Sequence, residues 1–116
     1  MLYVSDSEIH GQGIFAGKEY SVGDTIELCP YLVTDDEDLG KNSILHDYIF
    51  QSPNPDSKEY LIPLGYAMVY NHSESPNAEW EICEEDYRFV RFFALEKISK
   101  GEEILHSYGT EYWESR

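Results

Sequence analysis

The 116-residue sequence predicts a mainly β domain built from several small sheets, and three observations lead there. Short alternating or β-rich runs recur along the whole chain. Gly, Pro, Asn and Asp separate them at close intervals, as in Ser52-Pro53-Asn54-Pro55-Asp56 and Ser75-Pro76-Asn77. No segment holds a helical period for three clear turns.

In chain order, the expected strands begin with Leu2–Ser5 and Gly13–Ala16, on either side of a loop containing Gly11. Thr25–Leu28 and Tyr31–Thr34 follow, then Asp47–Phe50, Glu59–Ile62 and Tyr66–Tyr70. Ala78–Ile82, Tyr87–Ala94 and Glu103–His106 complete the series. Single helical turns are expected near Leu39–Ser43 and after Gly109. One stretch echoes another. Phe15 to Ile26 aligns with Phe93 to Ile104, with Phe, Ala, Ser, Gly and Ile at equal offsets and Asp24 opposite Glu102. Each copy reads as a strand, a polar turn closed by glycine, and a second strand. The echo predicts two similar corners of one fold.

The length suits one domain, residues 1–116, with a core that needs neither metal nor disulfide. Aromatic residues make up 15%, including ten tyrosines, which speaks against a disordered acidic chain. Neither a signal-peptide pattern nor a membrane-length apolar run is visible, so a soluble, intracellular protein is expected. Cys29 and Cys83 lack CxxC spacing and cannot build a four-ligand zinc site alone; structural free thiols and no metal are expected. The net charge of −15 repels nucleic acid and attracts cationic partners. Asp35-Asp36-Glu37-Asp38 and Glu84-Glu85-Asp86 read as solvated loops.

Three clusters carry chemistry. His10-Gly11-Gln12-Gly13-Ile14-Phe15 has two glycines that let the backbone bend and approach a ligand, without the third glycine of a dinucleotide fingerprint. Tyr70-Asn71-His72-Ser73-Glu74-Ser75-Pro76-Asn77 crowds small hydrogen-bonding side chains at the end of an apolar run. Asn71 can donate and accept together, which suits an adenine edge or an amino-acid headgroup, although a capped turn would use the same residues. His72 has no second ligand at metal-binding spacing. Gly101-Glu102-Glu103-Ile104-Leu105-His106-Ser107-Tyr108-Gly109 ends a strand on a tyrosine before glycine, a place for either a functional hydroxyl or a core ring.

Together and in this order, the three clusters resemble the SET-domain family, over nearly the whole chain and closest to the minimal SET proteins of large DNA viruses. The resemblance implies a β-clip of small sheets with a C-terminal pseudoknot that brings the Asn71–Asn77 segment against the strand entering Tyr108. It implies S-adenosylmethionine as methyl donor and a lysine of another protein, such as a histone tail, as acceptor. Gly11, Gly13, Asn71 and His72 would bind the donor, with Tyr112 and Trp113 over its adenine. Tyr108 would be the catalytic tyrosine, and Tyr48 and His106 would join it along the lysine channel. Where relatives place a zinc-binding Cys, this chain has Glu74, so neither pre-SET nor zinc-held post-SET module is expected. His106 stands where relatives carry Phe or Tyr, leaving the number of methyl groups added open. A homodimer is expected, with a site in the host nucleus or on chromatin if the protein is virus-encoded and histone-directed, and in the cytoplasm otherwise. A SET-like binding module without catalysis and an acidic DNA mimic are the alternatives.

Overall fold

A computed structural model describes residues 1–40, 49–52, 56, 58–67 and 69–107 of the protein. Strands β1 (Leu2–Asp6) and β2 (Gln12–Ala16) form an antiparallel hairpin, with Leu2 opposite Ala16 and Asp6 opposite Gln12. The turn between them closes through a hydrogen bond from Ser7 N–H to the Gly11 carbonyl, 2.8 Å, and Gly11 takes φ +49°. Glycine adopts that conformation without the Cβ penalty.

Strand β3 (Thr25–Thr34) is the longest. The sequence suggested two strands broken at Cys29-Pro30, yet the backbone runs straight through. The reason lies in its partners. Thr25 to Pro30 pairs with β8 (Phe89–Ala94), and Tyr31 to Thr34 pairs with β5 (Tyr60–Pro63). Pro30 lies where one neighbour gives way to the other, so its missing N–H removes little from either ladder. With β4 (Phe50–Gln51) and β7 (Ala78–Ile82), the five-stranded sheet has the order β4-β5-β3-β8-β7. On β8, Val90, Phe92 and Ala94 are buried and alternate with half-buried Phe89, Arg91 and Phe93, the period of two expected for a strand with one core face.

The third sheet is small and parallel, joining β6 (Asn71–His72) to β9 (Leu105–His106). This pairing brings the Asn71–Asn77 segment against the strand entering Tyr108, as expected from the sequence; residues 108–116 lie outside the described residues. The core gathers Ile14, Tyr20, Ile26, Cys29, Tyr70, Val90, Phe92, Ile98 and Ile104 between the three sheets. Cys29 and Cys83 are both buried free thiols, and burial, aided by the Glu27 carboxylate, pushes the Cys29 thiol well above its usual range.

The repeated corners pair with each other. Gly23 N–H donates to Ala94 O as Gly101 N–H donates to Ala16 O, and Ala94 N–H donates to Asp24 O as Ala16 N–H donates to Glu102 O. Tyr20 and Ile98 exchange both backbone bonds at the centre, 2.8 and 2.9 Å. In each corner a serine N–H is held by the acidic side chain three residues on, Ser21 by Asp24 and Ser99 by Glu102. Gly23 and Gly101 take φ +86° and +92°. The sequence echo is therefore a local two-fold relation within the chain.

Two expectations are corrected. Among its described residues, the run Tyr66–Tyr70 is not a strand. Gly65 turns the chain at φ +104°, Val69 N–H bonds to Tyr66 O, and the Glu27 carboxylate accepts from Tyr66 N–H (2.9 Å) and Tyr70 O–H (2.7 Å). A side chain thus takes the role a neighbouring strand would have played. The acidic run read as a solvated loop instead forms the helical turn α1 (Asp36–Leu39), while residues 41–43 of the turn expected near Leu39–Ser43 lie outside the described residues. Asp35 caps α1 by accepting from Asp38 N–H, and three acidic residues in its first turn suit the positive end of the helix. The turn expected after Gly109 lies outside the described residues, as do Asp47 and Tyr48 of the Asp47–Phe50 run.

Candidate active site

The β6–β9 pair sets Asn71 opposite Leu105 and His72 opposite His106. Further bonds hold the two segments together: Ser73 N–H donates to His106 O, and Asn77 N–H to Leu105 O, both 3.1 Å. The Asn77 side chain acts as a substitute peptide. Its Nδ2 donates to Glu103 O and its Oδ1 accepts from Leu105 N–H, both 2.8 Å, while the residue is 6% exposed. Only an amide supplies a donor and an acceptor at that spacing.

Asn71, 7% exposed, reaches across to the β1–β2 hairpin. Its Nδ2 donates to Glu103 Oε2 (2.8 Å), His10 O (3.1 Å) and Gln12 O (3.2 Å). Glu103 Oε1 accepts from Ser7 Oγ at 2.7 Å. Gly13 lies against this carboxylate: a Cβ there would overlap Glu103 Oε2 and come within 3.1 Å of Asn71 Nδ2. The two glycines of the first cluster thus have different reasons. Gly11 supplies a positive φ beside open space, and Gly13 supplies room for the chain's own Glu103 and Asn71.

On the other side of β9, His106 is 3% exposed inside an aromatic cluster. Phe50 stacks on it at 5.6 Å between centroids, and Phe92 and Tyr70 meet it edge-on at 5.7 and 6.1 Å. Trp80 meets Phe50 edge-on at 5.1 Å. Burial first, and then neighbouring His72, holds the His106 imidazole down to about 4, so it is neutral at physiological pH. Burial and the Glu27 carboxylate raise the Tyr70 phenol far above its usual value. A small cleft opens beside this cluster, lined by Pro76, Glu79, Trp80, Leu95, His106 and Ser107.

Of the residues singled out from sequence, Gly13 and Asn71 meet at the hairpin, Gly11 shapes the adjoining turn, and His72 and His106 are register partners. Tyr48, Tyr108, Tyr112 and Trp113 lie outside the described residues. Among the described residues, no group of three His, Cys, Asp or Glu side chains could hold a metal ion, and no helix is long and apolar enough to cross a membrane. Sequence reasoning passed over Glu103, Ser7, Phe50 and Trp80 and left Asn77 without a role. Asn77 carried a signal, since it closes the Asn-His-Ser-x-x-Pro-Asn cluster. Ser7 and Glu103 are 96 positions apart, and nothing local links them.

Comparison with known proteins follows the same lines. A histone-lysine N-methyltransferase specific for H3 lysine 37, from Schizosaccharomyces pombe, is 29% identical over 117 aligned residues, spanning 97% of this chain and 76% of its own. A crystal structure from Plasmodium falciparum, of a protein assigned as a histone methyltransferase, superposes with a TM-score of 0.75 at 33% identity. That match covers 94% of this chain and 97% of the other. Residues 11–109, from the glycine pair through the Ser-Tyr-Gly end of the last cluster, match the SET domain, and the chain belongs to that family.

Proposed function

We propose that this SET domain transfers a methyl group from S-adenosylmethionine to a lysine amine of a basic protein, with a histone tail as the favoured acceptor. The enzyme class, protein-lysine methyltransferase, rests on family membership and on the histone-lysine methyltransferase relative. The observation that best supports the assignment of residues is the parallel β6–β9 pair. It joins the Asn-His-Ser segment to the strand that leads through Ser107 into Tyr108.

The donor brings a methyl group already made electrophilic by its sulfonium, so the protein's task is alignment. Asn71 fits the donor's amino-acid end on chemical grounds. Its Nδ2 is committed to three acceptors of this chain, which leaves Oδ1 to accept from an ammonium. His72 and the backbone around Gly11 and Gly13 would complete the donor site, with Tyr112 and Trp113 covering the adenine. Tyr48 and Tyr108 would line the lysine channel beside His106.

Lysine reacts only as the neutral amine, and its reference pKa is about 10.4. A surface of net charge −15 gathers the cation, and an aromatic channel favours loss of its proton by desolvation. The Tyr108 hydroxyl would then orient the nitrogen. A lysine-rich substrate accords with the acidic charge, with a nuclear role for such an enzyme and with a dimer that widens a small domain's peptide groove. Kinship with the minimal viral SET proteins rests on the sequence clusters alone.

Mass spectrometry of histone-tail peptides incubated with protein and donor tests this reading. Tyr108→Phe should lower turnover on the order of 10²-fold while leaving donor affinity within a small factor. Turnover close to wild type would remove Tyr108 from the catalytic role.

A further inference from the structure

The hairpin, the Asn71 strand and the last strand meet at a carboxylate to which the reaction assigns no part. Glu103 is bonded at both oxygens, to Ser7 Oγ at 2.7 Å through Oε1 and to Asn71 Nδ2 at 2.8 Å through Oε2. Its backbone is equally fixed: Asn77 Nδ2 holds its carbonyl, and Phe15 bridges to it from β2. Asn71 is where this fixing matters. An amide can present either its nitrogen or its oxygen to a neighbour, and the hydrogen-bond partners decide which. Here all three partners, the Glu103 carboxylate and the carbonyls of His10 and Gln12, are acceptors only. Turning the amide over would set Oδ1 against a carboxylate. The carboxylate bond is the shortest of the three and the only one made to a charged acceptor, the stronger kind.

We infer that Glu103 is a positioning residue of the donor site: it locks the Asn71 amide with its nitrogen turned into the protein, so that only an acceptor oxygen meets the ligand. The inference rests on the assignment of Asn71 to the donor's amino-acid end. Selectivity follows from it, because a locked Oδ1 serves an ammonium and not a carboxylate. Ser7 belongs to the same device, since its hydroxyl holds the second carboxylate oxygen and its N–H closes the hairpin turn to Gly11 O. Glycine at position 13 is the condition for it, since any Cβ there would displace the carboxylate.

The test compares two ligands by calorimetry: S-adenosylmethionine, and 5′-methylthioadenosine, which lacks the amino-acid end. Glu103→Ala should weaken S-adenosylmethionine binding about tenfold, the scale of one misdirected hydrogen bond to a charged group, and leave 5′-methylthioadenosine binding unchanged. Glu103→Gln keeps an acceptor for Asn71 and a donor for Ser7 Oγ, and should restore affinity to within about threefold. Unchanged S-adenosylmethionine affinity in Glu103→Ala, or an equal loss for both ligands, overturns the inference. Failure of Glu103→Gln to rescue overturns the orienting role in the same way. A wild-type protein that binds 5′-methylthioadenosine and S-adenosylmethionine equally refutes the Asn71 assignment beneath it, an outcome distinct from the others.

Discussion

Gly13→Ala isolates one steric relation. Gly13 is not among the glycines with positive φ, so its backbone accepts alanine, and any cost must come from the added methyl group. That group would overlap Glu103 Oε2 and crowd Asn71 Nδ2. Glu103 must swing away, giving up the bonds to Asn71 (2.8 Å) and Ser7 (2.7 Å). Hydrogen bonds to a charged group are worth roughly 1.5–3 kcal/mol each, and water would replace part of both at this half-buried place. The expected loss of folding stability is therefore about 2–3 kcal/mol. In a Glu103→Ala background the clash is gone, and Gly13→Ala should cost less than about 1 kcal/mol, a coupling on the order of 1.5 kcal/mol. Urea unfolding of the wild type, both single variants and the double variant measures that coupling without ligand. Gly11→Ala is the control, since its cost of about 1–2 kcal/mol comes from backbone at φ +49° and should not depend on Glu103. Additivity of Gly13→Ala and Glu103→Ala within about 0.5 kcal/mol would refute the steric account.

Asn77→Ala should destabilise the fold by about 2–5 kcal/mol in urea, because it strands the Glu103 carbonyl and the Leu105 N–H. Asn77→Asp should not rescue it, having an acceptor for Leu105 but no donor for Glu103. His106 makes stability depend on pH with a definite sign. Its folded value, about 4, lies below the ordinary 6.5, so between these values the unfolded chain binds more protons. The neutral imidazole's contribution is whole above pH 6.5 and is lost as pH falls towards 4, by up to about 3 kcal/mol. His106→Phe should flatten that stretch of the unfolding free-energy profile, and an unchanged slope would count against a buried neutral His106.

Sequence alone determined what is local or strongly patterned. The alternating run Ala78–Ile82 became β7 with the same bounds, because one core face fixes a period of two. The echo of Phe15 to Ile26 in Phe93 to Ile104 marked two like corners, because a glycine turn and a capping carboxylate recur at fixed offsets. The three clusters, in order, were enough to reach the SET family and the lysine methyltransferase class. Tertiary structure decided which side chains replace backbone partners. Glu27 turns Tyr66 to Tyr70 away from strand pairing, Asn77 stands in for a strand beside Leu105, and Pro30 is carried through β3 by a change of neighbour. The use of Gly13 belongs here too. A glycine in sequence promises only conformational freedom or space, and what fills the space is set by residues far along the chain. Ser7, Gly13, Asn71 and Glu103 come together because the hairpin, β6 and β9 converge, and such long-range convergence leaves no periodic trace in any single stretch of sequence.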